Sequence, residues 1–266
     1  MFSSSISQSP ARIRIVLAML ALLMASGAGN LAGAQTQRGP SDVVREFYKA
    51  MREHRFKDAF SLTIYKPAVQ DLSAEEMEDL RTDFEEKAAQ IPEQIQITGE
   101  QISGKTATVF VVVPARDNTP QVTSEPAVLI LSGGNWIIGD EANQAEVLKK
   151  GRRYFLDALI IEHESDVEDL LKRLISMQLA YTTQNKGLYG DLPALIGMGL
   201  IAKEVGDPIA MGYKIHITVA QDGKSYVAGA EPTRYGHSGK LSFWMDQTGL
   251  IKSLDNGGKP ISAPKQ

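Results

Sequence analysis

AVLILSGGNWII, residues 127–138, is the stretch that decides the fold class, because it predicts a β-hairpin. Two apolar runs flank the tetrad SGGN, and paired glycines there favour a tight turn because glycine adopts positive φ without steric cost. Upstream, Ile95 and Ile97 alternate with polar residues, and residues 106–113 form a β-branched run after a Gly-Lys turn. This apolar period of two predicts a meander of antiparallel strands.

Helices are predicted before this sheet. Val44, Phe47, Tyr48 and Met51 are spaced i, i+3, i+4 and i+7, which places them on one helix face behind Ser41 as the predicted N-cap. A short second helix follows, and it contains an FKDAF motif with both phenylalanines one turn apart.

A third helix begins at a capping box and ends before a proline. Ser73 is its predicted N-cap and Glu76 its reciprocal partner, while Pro92 stops the helix. Helices followed by an antiparallel sheet predict an α+β domain over residues 41–141.

The order of these elements resembles the cone-shaped nuclear transport factor 2-like fold. The resemblance rests on the first amphipathic helix, the short FKDAF helix, the longer helix, and strands that end in GGNWIIGD at residues 133–140. Small exported bacterial members of that superfamily have this size and a Trp-containing last strand. The resemblance implies a curved sheet around the helices, with a mouth in which a small molecule can bind.

A second helix-then-strands pattern follows. Ser165 and Glu168 fit another capping box, residues 213–219 alternate apolar and polar, Asp222-Gly223 predicts a hairpin, and residues 240–252 predict a last one. We expect the helix stripe to pack on the first of these strands; the residues are Val167, Leu171, Leu174 and Gln178 on the helix and Tyr213, Ile215 and Ile217 on the strand. The second unit is therefore also predicted as α+β.

The second unit resembles the globular head of type IV pilins and type II secretion pseudopilins. The matching segments, in order, are LLKRLISMQLAYTTQNKGLY at 170–189, MGYKIHITV at 211–219 and GKLSFWMDQTGLIK at 239–252. The chain departs from that family where a pilin has its processing glycine and wholly apolar N-terminal helix, because the segment from Lys149 to Glu162 contains six charged side chains. The filament-forming role therefore does not transfer.

Charge divides the chain at the same place as the motifs. Residues 41–141 contain 10 Lys/Arg against 18 Asp/Glu, and residues 142–266 contain 15 against 14. Such asymmetry indicates two units with different surfaces. We predict a nuclear transport factor 2-like domain at 41–141, a connecting helical segment at 142–163 and a pilin-like head at 164–262.

Residues 1–34 have the features of a secretory signal peptide. Two arginines precede an 11-residue apolar run at 15–25, and Ala32-Gly33-Ala34 predicts cleavage before Gln35. The alternative is an uncleaved membrane anchor, because residues 15–34 contain no charge, although glycine, serine and asparagine dilute their second half. In both cases the body of the protein is expected outside the cytoplasm, in the periplasm or the extracellular space.

Composition excludes several function classes. The chain has no cysteine, which rules out disulfides, thiolate metal sites, a cysteine nucleophile and a lipoprotein anchor. The net charge of −4 comes with no basic face, so nucleic acid is not an expected partner. No nucleophile or phosphate-binding motif is present, and we therefore predict no catalytic residues, no cofactor and no metal.

The histidines are not predicted to form a metal site or a catalytic site. None of the four histidines, at positions 54, 163, 216 and 237, lies in a zinc-binding spacing. His54 and Asp58 could act as an acid–base pair in a cone pocket, but a solvated His54 at a helix end is the preferred interpretation. His216 and His237 are expected at the surface.

The acidic residues near the C-terminus and the large aromatic residues are also not predicted to bind a ligand. Asp246 and Asp255 are the only acidic residues in the C-terminal loop region, too few for an expected calcium site. The large aromatic residues are expected in the cores; they are Trp136, Trp244, Phe243 and Tyr213.

The leading functional hypothesis is a non-enzymatic exported protein that binds protein partners at the cell envelope through its pilin-like head, with a secretion or pilus apparatus as the expected partner. The alternative is a small-molecule-binding or weakly enzymatic cone domain with a passive head. A polar pocket around His54 would favour the alternative, and an exposed apolar strip on the head's helix would favour the first hypothesis.

Overall fold

The computed structural model describes residues 38–93, 95–114 and 122–262. Their contacts divide into two compact units, one ending at Phe155 and one beginning at Leu156. Each unit contains helices and its own antiparallel sheet, which confirms the α+β prediction. The predicted signal peptide lies outside the described residues. Among those residues, no helix is both long and apolar enough to cross a membrane.

The N-terminal unit begins with five helices and has a sixth after its sheet. They are α1 Pro40–Arg52, α2 Phe56–Ser61, α3 Lys66–Val69, α4 Ala74–Asp79, α5 Arg81–Ala89 and α6 Glu141–Lys150. The capping box at Ser73 forms as predicted: its Oγ accepts from the Glu76 N–H, and a Glu76 carboxylate oxygen accepts from the Ser73 N–H. The predicted third helix is divided by a turn at Leu80 into α4 and α5.

The sheet of this unit has four strands in sequential order. They are β1 Gln96–Ser103, β2 Thr106–Pro114, β3 Val122–Ser132 and β4 Asn135–Ile138. The opening hairpin forms as predicted, with Leu131 opposite Trp136, and Gly133 and Gly134 in the turn at φ values of 57° and 81°. The positive φ of both residues explains why glycine occupies this turn.

The core of the N-terminal unit lies between α1 and one face of the sheet. The buried residues alternate along β2, at Ala107, Val109 and Val111, as expected for a half-buried strand. An aromatic cluster completes the core: the Phe60 ring is 4.7 Å from that of Phe84 and 5.4 Å from that of Phe155.

The C-terminal unit is built on one long helix and a second four-stranded sheet. Its elements are α7 Arg153–Gln184, which begins before the unit boundary, α8 Leu192–Gly197, a 3₁₀ turn at Lys203–Gly206, α9 Pro208–Met211, β5 Tyr213–Val219, β6 Tyr226–Pro232, β7 Leu241–Asp246 and β8 Ile251–Asp255. The strands again pair sequentially and antiparallel. The predicted stripe of α7 shares one hydrophobic cluster with the strands; the common members are Val167, Leu171, Leu174, Tyr213, Ile215 and Ile217.

Two predicted helix starts are wrong. Ser165 lies inside α7, which begins twelve residues earlier at Arg153. The apolar side chains at 155, 156, 159 and 160 are buried and extend the helix, and a cap worth about 1 kcal/mol does not outweigh continuous helical packing. The first helix is capped by Gly39 rather than by Ser41, because Pro40 occupies the first helical position, where proline is favoured. Residues 142–163 accordingly form α6 and the first part of α7.

Candidate functional site

His54 borders an open depression together with Arg55 and Asp58, but the acid–base pair of His54 and Asp58 does not form there. His54 is exposed just after α1, with a φ of 55°, and its ring meets the edge of Phe56. Asp58 does not pair with it: Oδ2 of Asp58 accepts a hydrogen bond from Nη1 of Arg55 at 2.7 Å. Arg55 also binds Glu53, and this hydrogen bond lowers the pKa of Glu53. His54 is therefore a solvated helix-end residue, as preferred from the sequence.

His163 and His216 have different neighbours. His163 Nδ1 is 2.9 Å from the carbonyl oxygen of Ser238, and His216 Nδ1 is 3.4 Å from Oε2 of Glu231. His216 and His237 are half-buried rather than fully exposed, because each lies against neighbouring segments of the C-terminal unit. Within the described ranges, no three His, Cys, Asp or Glu side chains are grouped so that they could hold a metal ion.

The C-terminal acidic residues have structural partners. Asp246 accepts hydrogen bonds from Thr248 at the β7–β8 turn, and these lower the pKa of Asp246. Asp255 accepts a hydrogen bond from the Tyr235 hydroxyl at 2.9 Å. Both carboxylates thus stabilise loops of this unit.

Tyr48 is a half-buried titratable residue of α1. Burial and, secondarily, the neighbouring Glu125 carboxylate raise the pKa of Tyr48 to about 12. Its phenol therefore stays protonated at neutral pH and can donate a hydrogen bond, but it cannot act as a base there.

A groove beside strand β4 is a well-defined recess in the described part of the N-terminal unit. It forms because the segment after α2 pairs with the edge of β4: the Ile64 N–H donates to Ile138 O, and the Ile138 N–H donates to Leu62 O, both at 2.9 Å. The recess encloses about 540 Å³ and is half open to solvent. Ligand sites typically measure about 300–1,000 Å³, so a small organic molecule fits.

Four parts of the N-terminal unit line this β4 groove. Arg38, just before α1, and Val43, within α1, line one side. The segment that begins at the end of α2 contributes residues 61–64, Lys66 and Pro67. The hairpin contributes Ser132 and residues 135–137, and α6 contributes Gln144. Sequence reasoning placed Trp136 in the core, but its side chain is only half-buried and lines the groove. The reason is that β4 is the edge strand of its sheet, so the ring is not covered on all sides.

An apolar strip is exposed on the C-terminal unit. Ile175 and Leu179 lie one turn apart on α7 and are 44% and 67% exposed. Gly249 of the β7–β8 turn contacts Ile175, and Leu250, which follows it, is 60% exposed. We call Ile175, Leu179 and Leu250 the apolar strip.

Comparison with known proteins gives few matches. No protein-family profile and no curated protein matches the chain. Among solved structures, it is similar to an NTF2-like transpeptidase from Campylobacter jejuni, with 20% identity over 37% of this chain and 95% of that one and a TM-score of 0.26. It is also similar to a SEC-C motif containing protein from Rhodopseudomonas palustris, with 16% identity over 38% of this chain and 75% of that one, again with a TM-score of 0.26.

Proposed function

We propose that this chain is a non-enzymatic exported protein that binds protein partners at the cell envelope, with its C-terminal unit as a pilin-like interaction module. The observation that carries the proposal is the apolar strip. A helix that is packed on one side and still exposes neighbouring large apolar side chains has a surface suited to another protein. The helix-on-sheet arrangement of this unit supports the pilin-like part of the proposal.

The chain is not expected to polymerise as a pilin does. The segment from Lys149 to Glu162 holds six charges where a pilin has its apolar helix. Moving charged side chains out of water costs several kcal/mol per ion, so this segment is expected to enter neither a bilayer nor an apolar filament core. The proposed module therefore binds an apparatus from outside instead of becoming a subunit of it.

The hydrogen bonding around His54 is consistent with the proposed binding role. His54 lacks its predicted acidic partner, since Arg55 holds Asp58. The pKa of Tyr48 is raised rather than brought towards neutrality.

Site-specific photo-crosslinking tests this proposal in cells that export the full chain. A photoreactive residue replaces Leu179, and a matched probe replaces Lys224, which is exposed in the β5–β6 turn and does not belong to the strip. We expect a discrete crosslinked protein at position 179, lost when Ile175→Glu is added, and none at position 224. Equal products at both positions, or none at 179, would contradict the proposal.

A further inference from the structure

We propose that the β4 groove binds a small amphipathic anion, an organic carboxylate or phosphate with an apolar body. This site lies in the N-terminal unit and is independent of the apolar strip. The proposal follows from three properties of the groove: its charge, its apolar wall and its size.

Both charged side chains of the described lining are basic. Arg38 and Lys66 both line the groove, both are exposed, and neither forms an ion pair with a described residue. Among the described residues, no acidic side chain lines the groove. The acidic residues nearest in the chain, Asp42 and Glu46, line a separate depression that Arg38 borders on its other side. Two unpaired cations in a recess attract an anion, and the arginine guanidinium matches the planar geometry of a carboxylate or phosphate.

The basic side chains of the groove contrast with the net negative charge of the N-terminal unit. Residues 41–141 hold 10 basic against 18 acidic side chains, so the surrounding surface repels anions. A recess in which both charged residues of the described lining are basic is therefore a local exception. Because exposed charges further than about 8–10 Å apart are largely screened in physiological salt, the local lining decides which ligand enters.

The groove also has an apolar wall, which consists of Trp136, Ile137 and Pro67. All three line the groove and are half-buried, so each presents apolar area to the recess. An inorganic ion would leave this area in contact with water, whereas an alkyl or aromatic body would cover it at a gain of about 25 cal/mol per Å². The ligand is for this reason amphipathic.

Hydrogen bonds hold the far wall in place. The Gln144 amide donates to Ser132 Oγ at 3.4 Å, which joins α6 to the hairpin, and Asp140 caps α6 with its Oδ1 on the Asn143 N–H at 2.9 Å. The pairing of Leu62 and Ile64 with Ile138 fixes the near wall. Because hydrogen bonds within the unit hold both walls, the groove exists before a ligand arrives.

Isothermal titration calorimetry of the full chain with octyl phosphate, below its micelle concentration, tests the proposal. Octylammonium has the same apolar body and the opposite charge. We expect octyl phosphate to bind and octylammonium not to bind. Arg38→Glu/Lys66→Glu should weaken octyl phosphate binding about tenfold or more, because each attraction becomes a repulsion. Lys105→Glu, which reverses a single charge at an exposed turn outside the groove, should leave it unchanged.

Tryptophan emission gives a local readout of the same site. Octyl phosphate should change the emission of the wild type and of Trp244→Phe, and the change should vanish in Trp136→Phe, because only Trp136 lines the groove. Three results would each overturn the proposal: no binding of octyl phosphate, equal affinity for octylammonium, or undiminished binding by the Arg38/Lys66 variant. None of them bears on crosslinking at Leu179.

Discussion

Oε1 of Glu76 accepts a hydrogen bond from Nη2 of Arg152 at 2.7 Å, which joins the start of α4 to the segment after α6. The two side chains differ in environment: Glu76 is 4% exposed and Arg152 is 56% exposed. The second carboxylate oxygen of Glu76 accepts the N–H of Ser73. Both oxygens of a buried carboxylate are thus satisfied, once by local capping and once by a residue distant in sequence.

Replacement of this carboxylate should destabilise the chain in a pH-dependent manner. The backbone hydrogen bond from Ser73 and, after it, Arg152 lower the pKa of Glu76 below 4.5. A lowered folded-state pKa contributes stability above pH 4.5 that is lost as the pH falls through the folded-state value. We expect Glu76→Gln to lower the free energy of unfolding by about 1–3 kcal/mol at pH 7 and by less in acid.

Urea unfolding at several pH values checks this expectation. Glu78→Gln is the control, because its ion pair with Arg81 is exposed on both sides and should contribute less than about 1 kcal/mol. A Glu76→Gln effect no larger than that of the control, or one that grows in acid, would contradict the argument.

Gln178 is expected to contribute strongly to the free energy of unfolding, although its side chain is polar. It is 1% exposed, its Nε2 donates to Gly190 O at 2.7 Å, and its Oε1 accepts the Gly190 N–H at 3.0 Å. Gln178→Leu leaves both backbone groups buried without partners, so we expect a loss of about 2–4 kcal/mol in denaturant unfolding. The control Gln184→Leu, exposed at the end of α7, should change stability by less than about 0.5 kcal/mol. Similar values for both would argue against the bidentate role.

Gly239 is required by a close approach of Tyr213. A methyl group at position 239 would overlap the Tyr213 ring, which is fully buried and whose hydroxyl donates to Leu241 O at 2.8 Å. We expect Gly239→Ala to lower the thermal midpoint, by the equivalent of about 1–3 kcal/mol, because the ring must move out of a packed position. Gly197→Ala in α8, with nothing within 4 Å, should be neutral or slightly stabilising. An unchanged midpoint for Gly239→Ala would refute this.

The extent of the N-terminal unit can be tested with two fragments. The ring of Phe155 is completely buried beside Phe60 and Phe84, and a fragment ending at residue 143 lacks it. We expect residues 35–155 to unfold cooperatively and residues 35–143 to be less stable by about 3–5 kcal/mol, the usual cost of removing a buried phenylalanine. Circular dichroism during heating distinguishes them. Equal stability would place the boundary before α6.

Export should produce a mature N-terminus at Gln35. The basis is the short apolar run behind two arginines and the Ala32-Gly33-Ala34 site. Intact-mass analysis of the exported chain should give the mass of residues 35–266. Retention of Met1 would instead indicate the uncleaved anchor.

Local patterns predicted much of the fold, and their failures have a common cause. The SGGN hairpin and the Ser73 capping box formed where expected, because each depends on residues within a few positions of one another. Ser165 has the same capping pattern but lies within α7, where buried residues upstream extend the helix. A capping motif states a preference, and packing decides whether it is used.

The β4 groove could not be found from the sequence. Its basic side chains, Arg38 and Lys66, belong to different elements, and its aromatic wall comes from a hairpin more than sixty residues away. Neither cation lies in a motif, and Trp136 has the appearance of a core residue. The alternative pair of His54 and Asp58 rested on their spacing of four residues, and Arg55, three residues from Asp58, binds that carboxylate instead.

Local sequence patterns are sufficient to predict the two α+β units, the pairing of strands that are consecutive in the chain, and the apolar faces of α1 and α7. Helical and strand periodicities are local, and the burial of apolar area follows from them. Tertiary structure alone decided where α7 begins, that Glu76 meets Arg152, and that Trp136 faces a basic groove. These outcomes depend on side chains distant in sequence and on which edges of a sheet remain uncovered, and that information exists only once the chain has packed.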